Sequence, residues 1–133
     1  MTLRWSEDGV AEVADVAELE RVLNRVREEL GSGSAAPRFV ELHNPPHGFM
    51  HLGIGAPYTV LSYMAEHEAG PYYVSRGEPG RLADVPEIVA FDYGGHESEF
   101  PAASAVTFDE GLSAFLEFAA TGRRSTKVGW DQP

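Results

Sequence analysis

The chain has 133 residues, no cysteine, 43% hydrophobic residues and a formal net charge of −11. One domain spanning 1–133 is the expectation at this length, and the absence of cysteine excludes disulfides, thiol catalysis and thiolate metal sites. No apolar run reaches membrane-spanning length, and Met1-Thr2-Leu3-Arg4-Trp5-Ser6-Glu7-Asp8 lacks the basic-then-apolar form of a signal peptide, so a cytoplasmic address is expected.

Leu3–Trp5 and Val10–Val13 flank Glu7-Asp8-Gly9, which reads as a short hairpin around an Asp-Gly turn. Asp15, with Glu18 three residues on, forms a capping box for a helix. Its apolar positions Val16, Leu19, Val22, Leu23, Val26 and Leu30 recur at helical spacing. The stretch from Gly31 to Pro37 ends it as a flexible connector. The period then changes to two. Arg38–His43, Phe49–Ile54, Tyr58–Ala65, Tyr72–Ser75, Ile88–Tyr93 and His96–Phe100 read as strands. They are separated by Asn44-Pro45-Pro46-His47-Gly48, Gly55-Ala56-Pro57, Ala69-Gly70-Pro71, a long Gly77–Pro86 loop and Gly94-Gly95. Thr107 and Glu110 form a second capping box, opening a helix that Gly122 closes; Val128 and Trp130 mark a last short strand. The fold class expected is α+β: an antiparallel meander of five or more strands, with two helices packed on one face.

The charge is unevenly spread. From Phe39 to Glu117 twelve acidic residues meet two basic ones, Arg76 and Arg81. Such a field repels nucleic acid and anionic membrane, and it accelerates encounter with cationic proteins. Acidity alone is better read as simple solubility. Its placement says more. A two-residue type I′ turn at Gly94-Gly95 pairs Tyr93 with His96, Asp92 with Glu97, Phe91 with Ser98, Ala90 with Glu99 and Val89 with Phe100. Val89, Phe91 and Phe100 then share the core face, and Asp92, Glu97 and Glu99 the opposite one. Like charges directly across a ladder are destabilising. Either Arg76 or Arg81 folds over to neutralise them, or the turn is one residue longer and the pairing differs, or they await a cation outside the protein.

Catalytic motifs are missing. Gly53-Ile54-Gly55 lacks the rest of a phosphate loop, no serine sits in a Gly-x-Ser-x-Gly elbow, and no His-Glu-x-x-His occurs. His43, His47 and His51 are spaced by four, but Pro45-Pro46 forbids the helix that would align them as ligands. Matching apolar faces instead pairs Leu42 with Met50 and Val40 with Leu52. The other face of that hairpin carries Phe39, Glu41, His43, Phe49 and His51, where the two phenylalanines call for cover by a further element or a partner. No catalytic, metal or cofactor residue is assigned. The partner-binding candidates are Asp92, Glu97 and Glu99, with His96 at the turn, and Glu41 and His51 on the neighbouring face.

Four segments carry a resemblance: Gly55–Met64 (GAPYTVLSYM), Gly70–Pro79 (GPYYVSRGEP), Val89–Val106 (VAFDYGGHESEFPAASAV) and Phe115–Trp130 (FLEFAATGRRSTKVGW). In order and spacing they resemble the first-numbered immunity protein family of bacterial polymorphic toxin systems, especially its actinobacterial members. The likeness runs from about Glu41 to Trp130. Ser125 departs from it, standing where proline is expected. The resemblance implies a cytoplasmic antidote that binds a cognate toxin, with zinc-dependent deaminases and other nucleic-acid-acting enzymes as the family's usual targets. It transfers no catalytic or binding residue. An adaptor for another basic protein and a small carboxylate-dependent hydrolase are the alternatives.

Overall fold

A computed structural model describes residues 1–31, 37–67 and 72–133. The turn expected at Ala69-Gly70-Pro71 and most of the Gly31–Pro37 connector lie outside the described residues.

β1 (Thr2–Arg4) and β2 (Val10–Glu12) form the first hairpin, and α1 (Val16–Gly31) follows. The Asp15 carboxylate accepts the Glu18 N–H at 2.8 Å, while the Glu18 carboxylate accepts the Ala14 N–H at 3.2 Å. The first bond satisfies a donor that the first helical turn leaves free, and the second ties the residue before the cap to the helix. β3 (Arg38–Asn44) and β4 (Gly48–Ile54) then pair in the expected register, Val40 opposite Leu52 and Leu42 opposite Met50.

The single strand expected over Tyr58–Ala65 is two strands, β5 (Tyr58–Thr59) and β6 (Leu61–Ala65). The break has a local cause. The Thr59 hydroxyl accepts the Gly53 N–H at 2.9 Å and donates to the Gly53 carbonyl at 2.8 Å, taking the place of a ladder pair. β5 thereby leaves the main sheet and pairs with β10 (Val106–Thr107).

β7 (Tyr72–Arg76) pairs with β6, and β11 (Gly129–Asp131) adds to its outer side. Among the described residues the main path runs β11-β7-β6-β4-β3-β1-β2. The meander ends at β7. After the Gly77–Pro86 loop, β8 (Ile88–Tyr93) returns to the far side of the sheet. There it meets β3 in parallel at one point, Arg38 opposite Asp92, with β9 (His96–Pro101) paired to it.

α2 (Phe108–Thr121) follows β10. The Thr107 hydroxyl accepts the Glu110 N–H at 3.1 Å and donates to the Glu110 carboxylate at 2.8 Å. Gly122 closes the helix with φ 74° and returns its N–H to Phe118 at 2.7 Å. Ser125 has a role that proline would not fill. Its hydroxyl accepts the Lys127 N–H at 3.1 Å, and its carbonyl accepts the Trp130 indole N–H at 2.9 Å. Thr107→Ala is expected to cost about 1 kcal/mol, the usual value of an N-cap hydroxyl. Urea unfolding of the variant checks this; a change within error would mean that the cap is not limiting.

Two cores lie on opposite faces of the sheet. On one, Leu19, Val22, Leu23 and Val26 of α1 and Phe115 and Phe118 of α2 pack with Leu42, Met50, Leu52 and Leu61. On the other, the β8–β9 hairpin lays Val89 and Phe91 onto Phe39 and Val74, with Phe100, Tyr93 and Tyr58 around them. Gly53 makes the close approach possible: a Cβ there would stand 2.3 Å from the Phe91 ring.

Candidate protein-binding surface

The β8–β9 hairpin has the register that its Gly-Gly turn demands. Gly94 and Gly95 take φ 59° and 85°, both positive as a type I′ turn needs. Tyr93 faces His96, Asp92 faces Glu97 and Ala90 faces Glu99. Alternation along the strands turns Val89 and Phe91 to the sheet and Ala90, Asp92, Glu97 and Glu99 away from it. Burial follows the same alternation, with Val89 and Phe91 buried and Glu97 and Glu99 exposed; His96, opposite Tyr93, is on the sheet side of the register but exposed at the tip.

Neither arginine of the acidic segment neutralises that outer face. Arg76 pairs with Asp131 at 2.7 Å, and Arg81 with Glu110 at 3.1 Å and Glu78 at 3.4 Å. Among the described residues Asp92, Glu97 and Glu99 have no ion-pair partner. Three carboxylates therefore share one ladder face with no ion pair among the described residues to offset their repulsion.

Glu41 and His51 stand directly beneath the hairpin. The Tyr93 hydroxyl donates to Glu41 at 3.0 Å, and His51 Nε2 lies 3.1 Å from the same carboxylate oxygen. On its other side His51 Nδ1 meets the Ser62 hydroxyl at 3.2 Å, while the Tyr93 ring stands edge-on to the imidazole at 5.1 Å. This serine–histidine–glutamate chain ties the hairpin to the sheet. Ser62 is 6% exposed. His43 is turned elsewhere, 2.9 Å from the Glu66 carboxylate and stacked on Phe49 at 4.2 Å. His47 lies by Gly122. Among the described residues no group of three or more histidines and carboxylates is placed to hold a metal ion.

The hydrogen bond from His51 holds the Glu41 carboxyl below its ordinary range, against burial, which acts the other way. Burial first, and the Glu41 charge second, push the Tyr93 phenol up to about 12. For Glu41 the unfolded chain takes up a proton more readily than the folded one. Its contribution to stability is thus full above the ordinary carboxyl value of 4.5 and is lost as pH falls through the depressed folded value. Tyr93 has the opposite sign: its contribution is full below 10.0 and is lost as pH rises from there to about 12. Glu41→Gln should flatten the acid limb of stability against pH. Urea unfolding of both chains from neutral pH down through the carboxylate range checks this, and parallel acid limbs would contradict it.

A feature that strand patterns alone do not reveal lies at the end of the hairpin. Glu7 and Asp8 of the β1–β2 turn come beside Asp92, Gly94 and Gly95 around a groove of about 420 Å³ that Trp5, Ser6 and Arg38 also line. Arg38 Nη1 reaches the Trp5 carbonyl at 3.4 Å, while its buried Nε has no partner among the described residues. The parallel bridge between Arg38 and Asp92 creates this neighbourhood. No turn signal or periodicity specifies so long-range a pairing.

Residues 7–132 match the family described as Immunity protein Imm1. This chain belongs to the Imm1 immunity protein family. Membership gives it a role in toxin immunity, and an Imm1 protein fills that role by binding a cognate toxin. Compared with curated proteins, the chain has no significant match. Among the described residues no helix is long and apolar enough to cross a membrane.

Proposed function

We propose that this chain is a cytoplasmic antidote that neutralises a basic, nucleic-acid-acting toxin, a deaminase or nuclease, by one-to-one binding without turnover. The contact is the outer face of the β8–β9 hairpin: Asp92, Glu97 and Glu99, with His96 at its tip. The observation that carries the reading is the unpaired state of those three carboxylates while Arg76 and Arg81 are engaged elsewhere. Like charges facing each other across a ladder cost a few tenths to about 1 kcal/mol. A cationic partner converts that cost into attraction. An enzyme acting on nucleic acid must present cations to phosphates, and a row of carboxylates spaced along a strand competes for the same groove. The net charge of −11 speeds the encounter and disfavours direct binding of nucleic acid or anionic membrane. Glu41 and His51 serve from beneath, fixing Tyr93 and with it the pitch of the hairpin. The test is the affinity of the Glu97→Lys/Glu99→Lys chain for the toxin domain encoded beside its gene, against wild type.

A further inference from the structure

Among the described residues, the hairpin covers half of the sheet face on which it lies. Register places His43, Phe49, Met64 and Tyr72 in one row across β3, β4, β6 and β7, with Thr2 and Glu12 continuing it over β1 and β2. Glu41, His51, Ser62 and Val74 form the next row, two residues along each strand. That second row lies under the hairpin or at its edge, and Tyr93 marks the boundary. The first row lies beyond it. Met64 is 37% and Tyr72 42% exposed, and Phe49 has the His43 ring stacked on it. Isolated exposed apolar residues are ordinary; an aromatic and thioether row across four adjacent strands is a patch.

Size and charge say what covers it. The outer face of a six-residue hairpin is about 20 Å long and roughly 10 Å wide, or about 200 Å². A stable protein interface takes about 800 Å² from each partner, so the hairpin alone is too small and the contact must extend onto adjoining surface. Glu66 beside His43 and Glu12 at the end of the row are acidic, and the row contains no lysine or arginine. Arg4, the base in the next row, stands opposite Glu41. A second copy of this chain would set one charge of −11 against another.

We infer that the row His43–Phe49–Met64–Tyr72 is the apolar half of the toxin-binding surface. It receives a segment of the basic partner in which an apolar side chain stands next to an arginine or lysine: the apolar group lies on Met64 and Tyr72, and the cation meets Glu66. This rests on the toxin-binding reading and adds to it the part of the interface that salt does not screen. Aromatic and thioether side chains at the centre of an interface are where truncation costs most.

The test uses the full chain and the toxin domain encoded beside its gene. Tyr72→Ala and Met64→Lys should each weaken binding by at least about tenfold. The Tyr72→Ala loss should persist at high salt, unlike that of charge reversals on the hairpin. Thermal unfolding of the free Met64→Lys chain should match wild type, whereas Tyr72→Ala, which removes a half-buried phenol hydrogen-bonded to Ser62, should lower the melting temperature slightly and leave the chain folded. Wild-type affinity in both variants would overturn the inference and leave the hairpin contact standing. If the wild-type chain itself binds no such toxin domain, the toxin-binding reading fails and this inference with it. A wild-type dimer in sedimentation that Met64→Lys dissolves would assign the row to self-association instead.

Discussion

Phe91→Ala is expected to remove about 3–5 kcal/mol of stability, the range for truncating a fully buried phenylalanine. Phe91 is 0% exposed and lies over Gly53, with ring centroids 5.0 Å from Phe39 and 6.4 Å from Tyr58. Little else ties the hairpin to the sheet. The parallel pairing with β3 is a single bridge, Arg38 with Asp92, supported by the Asp92 N–H bonded to the Pro37 carbonyl at 2.9 Å. Further links are Phe100 edge-on to Phe39 at 5.7 Å, Val89 packed in the same cluster, the Tyr93 ring edge-on to His51 at 5.1 Å and the Tyr93–Glu41 hydrogen bond. Since a domain of this kind has only about 5–15 kcal/mol in total, the variant should sit near its unfolding threshold. Denaturant unfolding measures the loss. Hydrogen exchange should show β8 and β9 losing protection ahead of the α1–α2 core. A loss under about 1 kcal/mol, or uniform loss of protection, would mean that the hairpin is not held by this cluster.

The hairpin's position also marks the limit of what the sequence makes legible. Local chemistry fixes its register: two glycines in a two-residue turn leave one pairing, and that pairing is present. The β3–β4 register follows with equal directness from alternation, because a slip by one residue would turn Leu42 and Met50 away from the core. Both helix starts were legible for the same reason, since Asp15 and Thr107 bond to N–H groups only three residues away. Phe39 and Phe49 show where such reasoning stops. They look alike in sequence, on one face of one hairpin, each calling for cover. Phe39 is covered by Phe91 and Phe100, brought from about fifty residues and more away, whereas among the described residues the ring stacked on Phe49 is that of its ladder neighbour His43. The difference depends on where β8 docks after the Gly77–Pro86 loop, and no local signal encodes that. The destination of Arg76 and Arg81 was equally open. The added strand β11 brings Asp131 to Arg76, and the start of α2 brings Glu110 to Arg81. Tyr93, legible in sequence as the residue before the turn, becomes the link between the hairpin and Glu41 through the same docking.

Charge reversal on the outer face is expected to have the largest functional effect. Asp92, Glu97 and Glu99 lie on one side of the hairpin, with Asp92 directly across from Glu97. Glu97→Lys/Glu99→Lys should leave the free chain as stable as wild type or slightly more so, because a lysine opposite Asp92 replaces repulsion with attraction. In the complex the same lysines would face the partner's cations. Loss of a charge pair desolvated at an interface costs about 2–5 kcal/mol, roughly thirtyfold to several thousandfold in affinity. A charge at the rim would instead alter mainly the association rate and its response to salt. The decisive measurement is the affinity of this double variant and of wild type for the toxin domain, each at low and high salt, with thermal unfolding of the free chains as control. The account predicts a loss of at least about thirtyfold at low salt, a shallower salt dependence than wild type, and an unchanged or slightly raised melting temperature. Unchanged affinity together with an unchanged salt dependence, in a variant that remains folded, would contradict it.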